Sequence, residues 1–370
     1  MRKTIQINMP QIDEQEIEMV VKVLKSGLLT SLLGDGPMVT QFENAFAKFV
    51  KAKHAIAVNS GTAALHLALL AADVASGDEV ILPSFTFVST AETVVWAGAK
   101  PVFVDIDPTT YNIDPEKIEE AITADTKAIM PVDLYGLSAD MKAVEEIAQK
   151  HDLTVIEDAA QAHGALYNGK PPGNFADVAC WSFYGSKNMT TGEGGMLTTD
   201  SDEIAEKVRC MRSHGEKKEY QSVMIGHNYR MPEIEAAIGY TQLRKLPKFV
   251  EKRQSNAKHL TERLAKINRL QLPTEPPDYK HSWYLYTVRP KEADRIERDR
   301  VVDGLRKRAI GAAVYYPAPI HLMPYYRRFG KCRLPETEKA SQQVFSLPVH
   351  PGVTLEEIAY IADSVTQVLK

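Results

Sequence analysis

Short apolar runs alternate with helical text from residue 55 to residue 158, and few folds accept that pattern. Residues 55–58 (AIAV), 79–82 (EVIL), 102–105 (VFVD), 128–132 (AIMPV) and 154–158 (TVIED) read as strands. Helical stretches lie between them: residues 59–74, apolar nearly all round, then 115–123 and 140–151. Strands joined through helices pair in parallel, so an α/β fold is predicted, with a largely parallel sheet covered on both faces. Ligands of such sheets bind beyond the carboxyl ends of the strands.

Upstream, Ile17, Val20, Val21 and Leu24 recur at helical spacing between Asp13 and Ser26, with Gly27 as a stop. The segment 26–37 (SGLLTSLLGDGP) is too rich in Gly and Ser for an element and too apolar for a plain linker. Such a loop either lies against a partner or ligand or forms a buried turn. Phe42, Phe46 and Phe49 mark the next helix.

Beyond Thr199 the chain turns helical. Pro232 is expected to open one helix and Pro247 a second, long one reaching about residue 267. Pro-rich, aromatic and basic text follows (SWYLYTVRP, AAVYYPAPIHLMPYYRRFG), with a polar helix at 297–308 and an amphipathic one at 354–369. A chain of 370 residues is too long for one small core. Residues 1–249 are expected to form a large domain and 250–370 a smaller α+β domain.

The net charge of −4 leaves no basic footprint for nucleic acid. Cys180, Cys210 and Cys332 are scattered, without metal-like spacing, which suits a reducing cytoplasm and no structural zinc. The most apolar run, residues 63–75, is shorter than a membrane span and interrupted by His66 and Asp73. The N-terminal text lacks the apolar region of a signal peptide, so a soluble cytoplasmic protein is expected.

The chemistry centres on residues 178–199, VACWSFYGSKNMTTGEGGMLTT: a buried strand, a polar turn with Lys187, a glycine run and a second strand. A lysine so placed is either a solvated turn residue or a covalent anchor, whose ammonium loses its proton when desolvated. At Asn59-Ser60-Gly61-Thr62 a helix start offers unpaired N–H groups to a phosphate, unless Ser60 or Thr62 merely caps the helix. Ser182 lies within reach of the same phosphate. Asp158, ending a buried strand, needs a cation or several donors to stay ionised. Gln161 is placed to donate to a phenolic oxygen, and His163 to orient Asp158 or satisfy a carbonyl. Phe87 is either core or a platform for a planar ring. A phosphate cradle, a carboxylate, a flat aromatic surface and an anchoring lysine together match pyridoxal 5′-phosphate, whose ring acts as an electron sink.

The text SGTAAL at 60–65, EDAAQAHGA at 157–165, SFYGSKNMTTGEGG at 182–195, GHNYRM at 226–231, YYPAPIH at 315–321 and SLPVHPG at 346–352 resembles the DegT/DnrJ/StrS family of nucleotide-sugar aminotransferases. The resemblance covers nearly the whole chain. It implies the fold-type-I architecture of pyridoxal-phosphate enzymes, with a mostly parallel seven-stranded sheet between helices. Lys187 would form the Schiff base and shuttle the proton. Asp158 would hold the pyridinium nitrogen, Gln161 the ring hydroxyl and Phe87 the ring face. Gly61, Thr62, Ala63 and Ser182 would bind the phosphate, joined by Asn228 of a neighbouring subunit, which implies a homodimer with shared sites. The 26–37 loop resembles the segment near the partner's site.

Deoxygenating relatives carry histidine where this chain has Lys187, so transamination is implied rather than dehydration. L-glutamate is the implied donor. Arg230 is either a contact for its carboxylate or an interface ion pair. The implied acceptor is a nucleotide-linked 3- or 4-keto-deoxyhexose, in amino-sugar or polysaccharide biosynthesis. Tyr316, His321 and the Arg327-Arg328 pair either hold its diphosphate or form a Pro-braced loop with solvated arginines. A cyclitol ketone of the scyllo-inosose type is the alternative acceptor. A sensor or scaffold that keeps the cofactor without turnover is the other alternative; regulators on this fold carry an added DNA-binding domain, for which no room is seen before Asp13.

Overall fold

The computed structural model describes residues 3–369. Its central sheet has seven strands: β1 (His54–Val58), β2 (Glu79–Pro83), β3 (Lys100–Val104), β4 (Thr126–Ile129), β5 (Thr154–Asp158), β6 (Val178–Ser182) and β7 (Gly195–Thr199). Their order is β1-β7-β6-β5-β4-β2-β3. Pairing is parallel from β6 through β5, β4 and β2 to β3. β7 alone runs against its neighbours β1 and β6. The cause is local: residues 183–194 hold no crossover helix, so the chain doubles back, as an antiparallel pair permits.

Between the strands run α3 (Gly61–Ala71), α4 (Ser89–Trp96), α5 (Pro115–Ala121) and α6 (Met141–His151). α3 is buried nearly all round, its Leu65, Leu67 and Leu69 sharing one core with Val80, Leu82, Ile156 and Leu197. On the other face, Phe42 and Phe46 of α2 (Pro37–Val50) meet Phe183 at 5.2 and 5.4 Å between ring centres. A separate core joins Ala257 and Leu260 to Val288, Phe345 and Ile361, and takes in Ile5 from the N-terminal segment.

Two sequence expectations change. Pro232 and Pro247 do not open separate helices. One helix, α8, runs from Glu233 to Leu264 with Pro247 inside it and passes straight through residues 249 and 250. Pro247 itself is exposed, so its ring meets no core, and packing along both halves of the helix outweighs the local loss. In α1 (Glu14–Ser26), Ile17, Val21 and Leu24 face outward, half exposed, while Glu16 and Val23 are buried. Glu16 is held there by Lys245 and the Gln242 amide.

No helix among the described residues is long and apolar enough to cross a membrane. β1 to β6 all run in one direction and end at one edge of the sheet, with β7 running the other way, and Asp158 stands at that edge.

Candidate active site

α3 begins one residue after Ser60, whose Oγ accepts the Ala63 N–H at 3.0 Å. Ser60 is therefore the cap, and Ala63 spends its N–H on it. Gly61 and Thr62 occupy the first turn, where backbone N–H groups point out of the helix. A Cβ on Gly61 would lie 2.8 Å from Ser182 Cβ, so only glycine lets α3 approach the end of β6 this closely. A Cβ on Gly195 would meet the Ser60 backbone. Glycine thus shapes a concave end with a serine hydroxyl and the positive pole of α3, a cradle suited to a phosphate.

Asp158 is buried at the end of β5. Thr90 Oγ1 donates to its Oδ2 at 2.9 Å, and the Ala160 N–H donates to Oδ1 at 3.2 Å. Burial raises its pKa above the ordinary carboxylate range; the Thr90 and Ala160 donors and the Lys187 charge pull the other way. Lys187 is affected in turn: burial lowers its ammonium from 10.5 to about 8, opposed by the charge of Asp158. Its Nζ lies 4.7 Å from the centre of the Tyr284 ring.

Gln161 is also buried. Its Oε1 accepts the Tyr135 N–H at 2.9 Å, which fixes the amide so that Nε2 donates to the Tyr316 hydroxyl at 3.1 Å. Phe87 is 53 % exposed, with its ring 6.4 Å from that of Tyr316, whereas Phe85 two residues earlier is wholly buried. Of the two phenylalanines, Phe87 presents an open face.

Other expected residues lie apart from this group. His321 is buried between Ser84 Oγ (2.7 Å from Nδ1) and Glu338 (3.4 Å from Nε2), so both ring nitrogens already have protein partners. Arg230 donates to Ser213 Oγ at 3.0 Å. Asn228 carries an exposed side chain and bridges Ser213 through its backbone. Arg328 lies over the Tyr325 ring at 3.9 Å. His163 makes no bond to Asp158; it is buried against Trp181 and Phe183, and burial lowers its pKa to about 3.

Three partners escaped sequence reading. Thr90 supports Asp158, Tyr135 orients Gln161, and Tyr284 covers Lys187 while its hydroxyl lies 2.9 Å from Ser186 Oγ. Only the first had a local signal, being a polar residue beside the strand end that carries Phe87.

The mostly parallel seven-stranded sheet between helices is the fold-type-I architecture of pyridoxal-phosphate-dependent aminotransferases. The model of the DegT/DnrJ/EryC1/StrS aminotransferase family matches residues 10–366, and the chain belongs to that family. It is 40 % identical to GDP-perosamine synthase of Caulobacter vibrioides, over 99 % of this chain and 98 % of that protein. It is also 40 % identical to a pleiotropic regulatory protein of Geobacillus stearothermophilus, over 98 % of each. Among solved structures, the PLP form of a putative sugar aminotransferase from Streptococcus pneumoniae superposes with a TM-score of 0.93 at 29 % identity, over 99 % of this chain and 98 % of that one.

Proposed function

We propose that this aminotransferase moves the amino group of L-glutamate onto a keto group of a nucleotide-linked sugar, with pyridoxal 5′-phosphate bound at Lys187. The observation that carries the reading is the opposed pair in the buried site: a lysine lowered to about 8 facing a carboxylate in need of a cation. A protonated pyridine ring supplies that cation, and the glycine-shaped cradle suits its phosphate. The residues present therefore fit the cofactor.

Bound pyridoxal phosphate supplies an electron sink for the bond that breaks at the substrate carbon. The chain's own residues do the rest. Gly61 and Thr62 N–H groups and Ser182 Oγ hold the phosphate, Asp158 holds the ring nitrogen, and Gln161 Nε2 donates toward the ring hydroxyl. Phe87 covers one ring face. Lys187 Nζ, poised to lose its proton near pH 8, would take a proton from the donor carbon in the first half-reaction and would deliver one to the acceptor's keto carbon in the second, exchanging it with the bound cofactor each time.

The sugar assignment leans on GDP-perosamine synthase, a relative matched from end to end. A homodimer is supported by the outward apolar stripe of Ile17, Val21 and Leu24, continued by the half-exposed Leu28 and Leu29. Asn228 would then serve the phosphate in a partner's site, Arg230 the glutamate carboxylate and Tyr316 the sugar, in a cytoplasmic enzyme with domains meeting within α8. The regulatory relative favours a second reading, a cofactor-binding regulator without turnover.

The deciding experiment incubates the purified protein with ¹⁵N-glutamate and a panel of GDP-, UDP- and dTDP-linked 3- and 4-keto sugars, with a cyclitol ketone alongside. Labelled amino sugar identified by mass spectrometry supports the proposal; label only in the cyclitol, or in no product, overturns it.

A further inference from the structure

Glu157 and Asp158 are neighbours in β5 and point to opposite faces of the sheet. Asp158 faces the site, while Glu157 turns to Asp133, the residue after the Val132–Asp158 bridge. Both Glu157 and Asp133 are wholly buried, at 0 % exposure. Each uses one oxygen on a backbone N–H: Asp133 Oδ1 accepts from Ala139 at 2.9 Å, and Glu157 Oε2 from Gly173 at 2.5 Å. The other oxygens, Asp133 Oδ2 and Glu157 Oε1, are buried and meet no donor from elsewhere among the described residues. Val132 pairs with Asp158 across β4 and β5, so the next residue, Asp133, and the preceding one, Glu157, turn their carboxyls to the same face of neighbouring strands.

Ionised carboxylates are acceptors only, so two of them cannot bond without a proton between them. The surroundings supply no cation. The ionisable groups nearest the pair are Asp158, Cys180 on β6 and Tyr279, each of which is neutral or negative. Burial accordingly raises both carboxyls, Glu157 further through the charge of Asp133. Two bare charges at this spot, beside a third on Asp158, would be strongly unfavourable.

We infer that Asp133 and Glu157 share a single proton and act as a positioning pair that fixes the carboxyl end of β5, on which Asp158 stands. The links to the site are short. The Asp133 N–H donates to Asp158 O at 3.0 Å, and the Asp158 N–H to Pro131 O at 2.9 Å. Two residues past Asp133, Tyr135 holds Gln161. The shared proton also keeps the floor of the site at one negative charge instead of two, which leaves Asp158 free to ionise. The proton-sharing is independent of what the site binds; the effect on cofactor binding rests on the proposed function.

The test compares the full-length protein with Glu157→Gln and Asp133→Asn. Either amide can donate across the pair while its carbonyl keeps the backbone N–H, so both variants fold. Infrared spectra at neutral pH are expected to show a carboxylic-acid C=O band in the parent protein. In difference spectra (parent minus variant) either substitution removes the same single band, although each deletes only one carboxyl, and other raised carboxyls such as Glu235 cancel. A difference spectrum in which either variant keeps that band overturns the shared proton. The positioning role is read from pyridoxal phosphate affinity: Glu157→Ala raises Kd by about tenfold while Glu157→Gln keeps the parent value. Equal Kd values for the Ala and Gln variants overturn the positioning role and leave the infrared result standing on its own. A parent protein that fails to bind pyridoxal phosphate contradicts the proposed function instead.

Discussion

Lys187 and Tyr284 meet face to amine, with Nζ 4.7 Å from the ring centre, although one residue follows a sheet strand and the other lies far along the chain between α8 and the last helices. The segment carrying Tyr284 is pinned before it arrives. Ser282 N–H donates to Gly136 O, Leu285 N–H to Tyr135 O, and the buried Arg253 clamps the carbonyls of Trp283 and Tyr284. Tyr284 therefore helps exclude water from Lys187, and burial is the largest cause of the lowered lysine pKa.

The first consequence concerns the lysine itself. Lys187→Ala is expected to lower kcat by about 10³-fold or more, because one amine serves as anchor and as proton carrier. The melting temperature stays near that of the parent, since the side chain carries no structural hydrogen bond that its loss would strand. Steady-state transamination and circular dichroism on the same sample check both parts.

Tyr284 allows a test of sign. In cofactor-free protein, capture of pyridoxal phosphate requires the neutral amine and should rise with pH through about 8. Tyr284→Ala admits water, which favours the ammonium, so the midpoint moves upward toward 10.5. The lost cation–π contact acts in the opposite direction but is the smaller effect at a newly hydrated site. Tyr284→Phe keeps the ring and should leave the midpoint close to the parent value.

Thr90→Val removes a hydroxyl donor from Asp158. Hydrogen bonding to the ionised form lowers a carboxyl pKa, so its loss raises Asp158 further above the ordinary range. Activity is expected to fall most on the acid side, where the carboxylate is first protonated. A pH–rate profile of kcat/KM shows this as an acid limb displaced to higher pH.

At Gly61 the constraint is steric. Gly61→Ala sets a methyl 2.8 Å from Ser182 Cβ, at a cost of about 1–3 kcal/mol, and weakens cofactor binding by displacing the first turn of α3. Adding Ser182→Gly should recover stability, read by thermal melting. Cofactor affinity should recover only in part, because the hydroxyl is gone.

Much of the fold was legible because parallel strands leave a strong imprint: β1 through β5 are short apolar runs separated by helices, and each overlaps the run that marked it, with β3 and β4 starting two residues earlier. The same holds for Ser60, since a serine before an apolar helix has few other tasks. α8 was misread because proline disfavours helix interiors locally, while its cost at an exposed position is offset by packing with α1, α2 and the C-terminal helix Leu355–Val368, which no local window contains. The outward face of α1 was hidden for a related reason: periodicity reveals an apolar stripe but not the side that meets the core. Within the proposed site, Asp158 ends β5, while Gln161 and Lys187 lie three and five residues beyond the ends of β5 and β6, positions that sequence alone can flag. Thr90, Tyr135 and Tyr284 act through contacts set by topology, and His321 shows the converse, since its partners Ser84 and Glu338 come from distant segments.

The most direct test of the central claim is the visible absorption spectrum of the purified protein, before and after L-glutamate. A pyridoxal phosphate bound at Lys187 gives a yellow protein, and transfer of the amino group bleaches it toward the pyridoxamine form. A yellow protein indifferent to glutamate would contradict the donor, and a colourless protein that takes up no added pyridoxal phosphate would contradict the account at its centre.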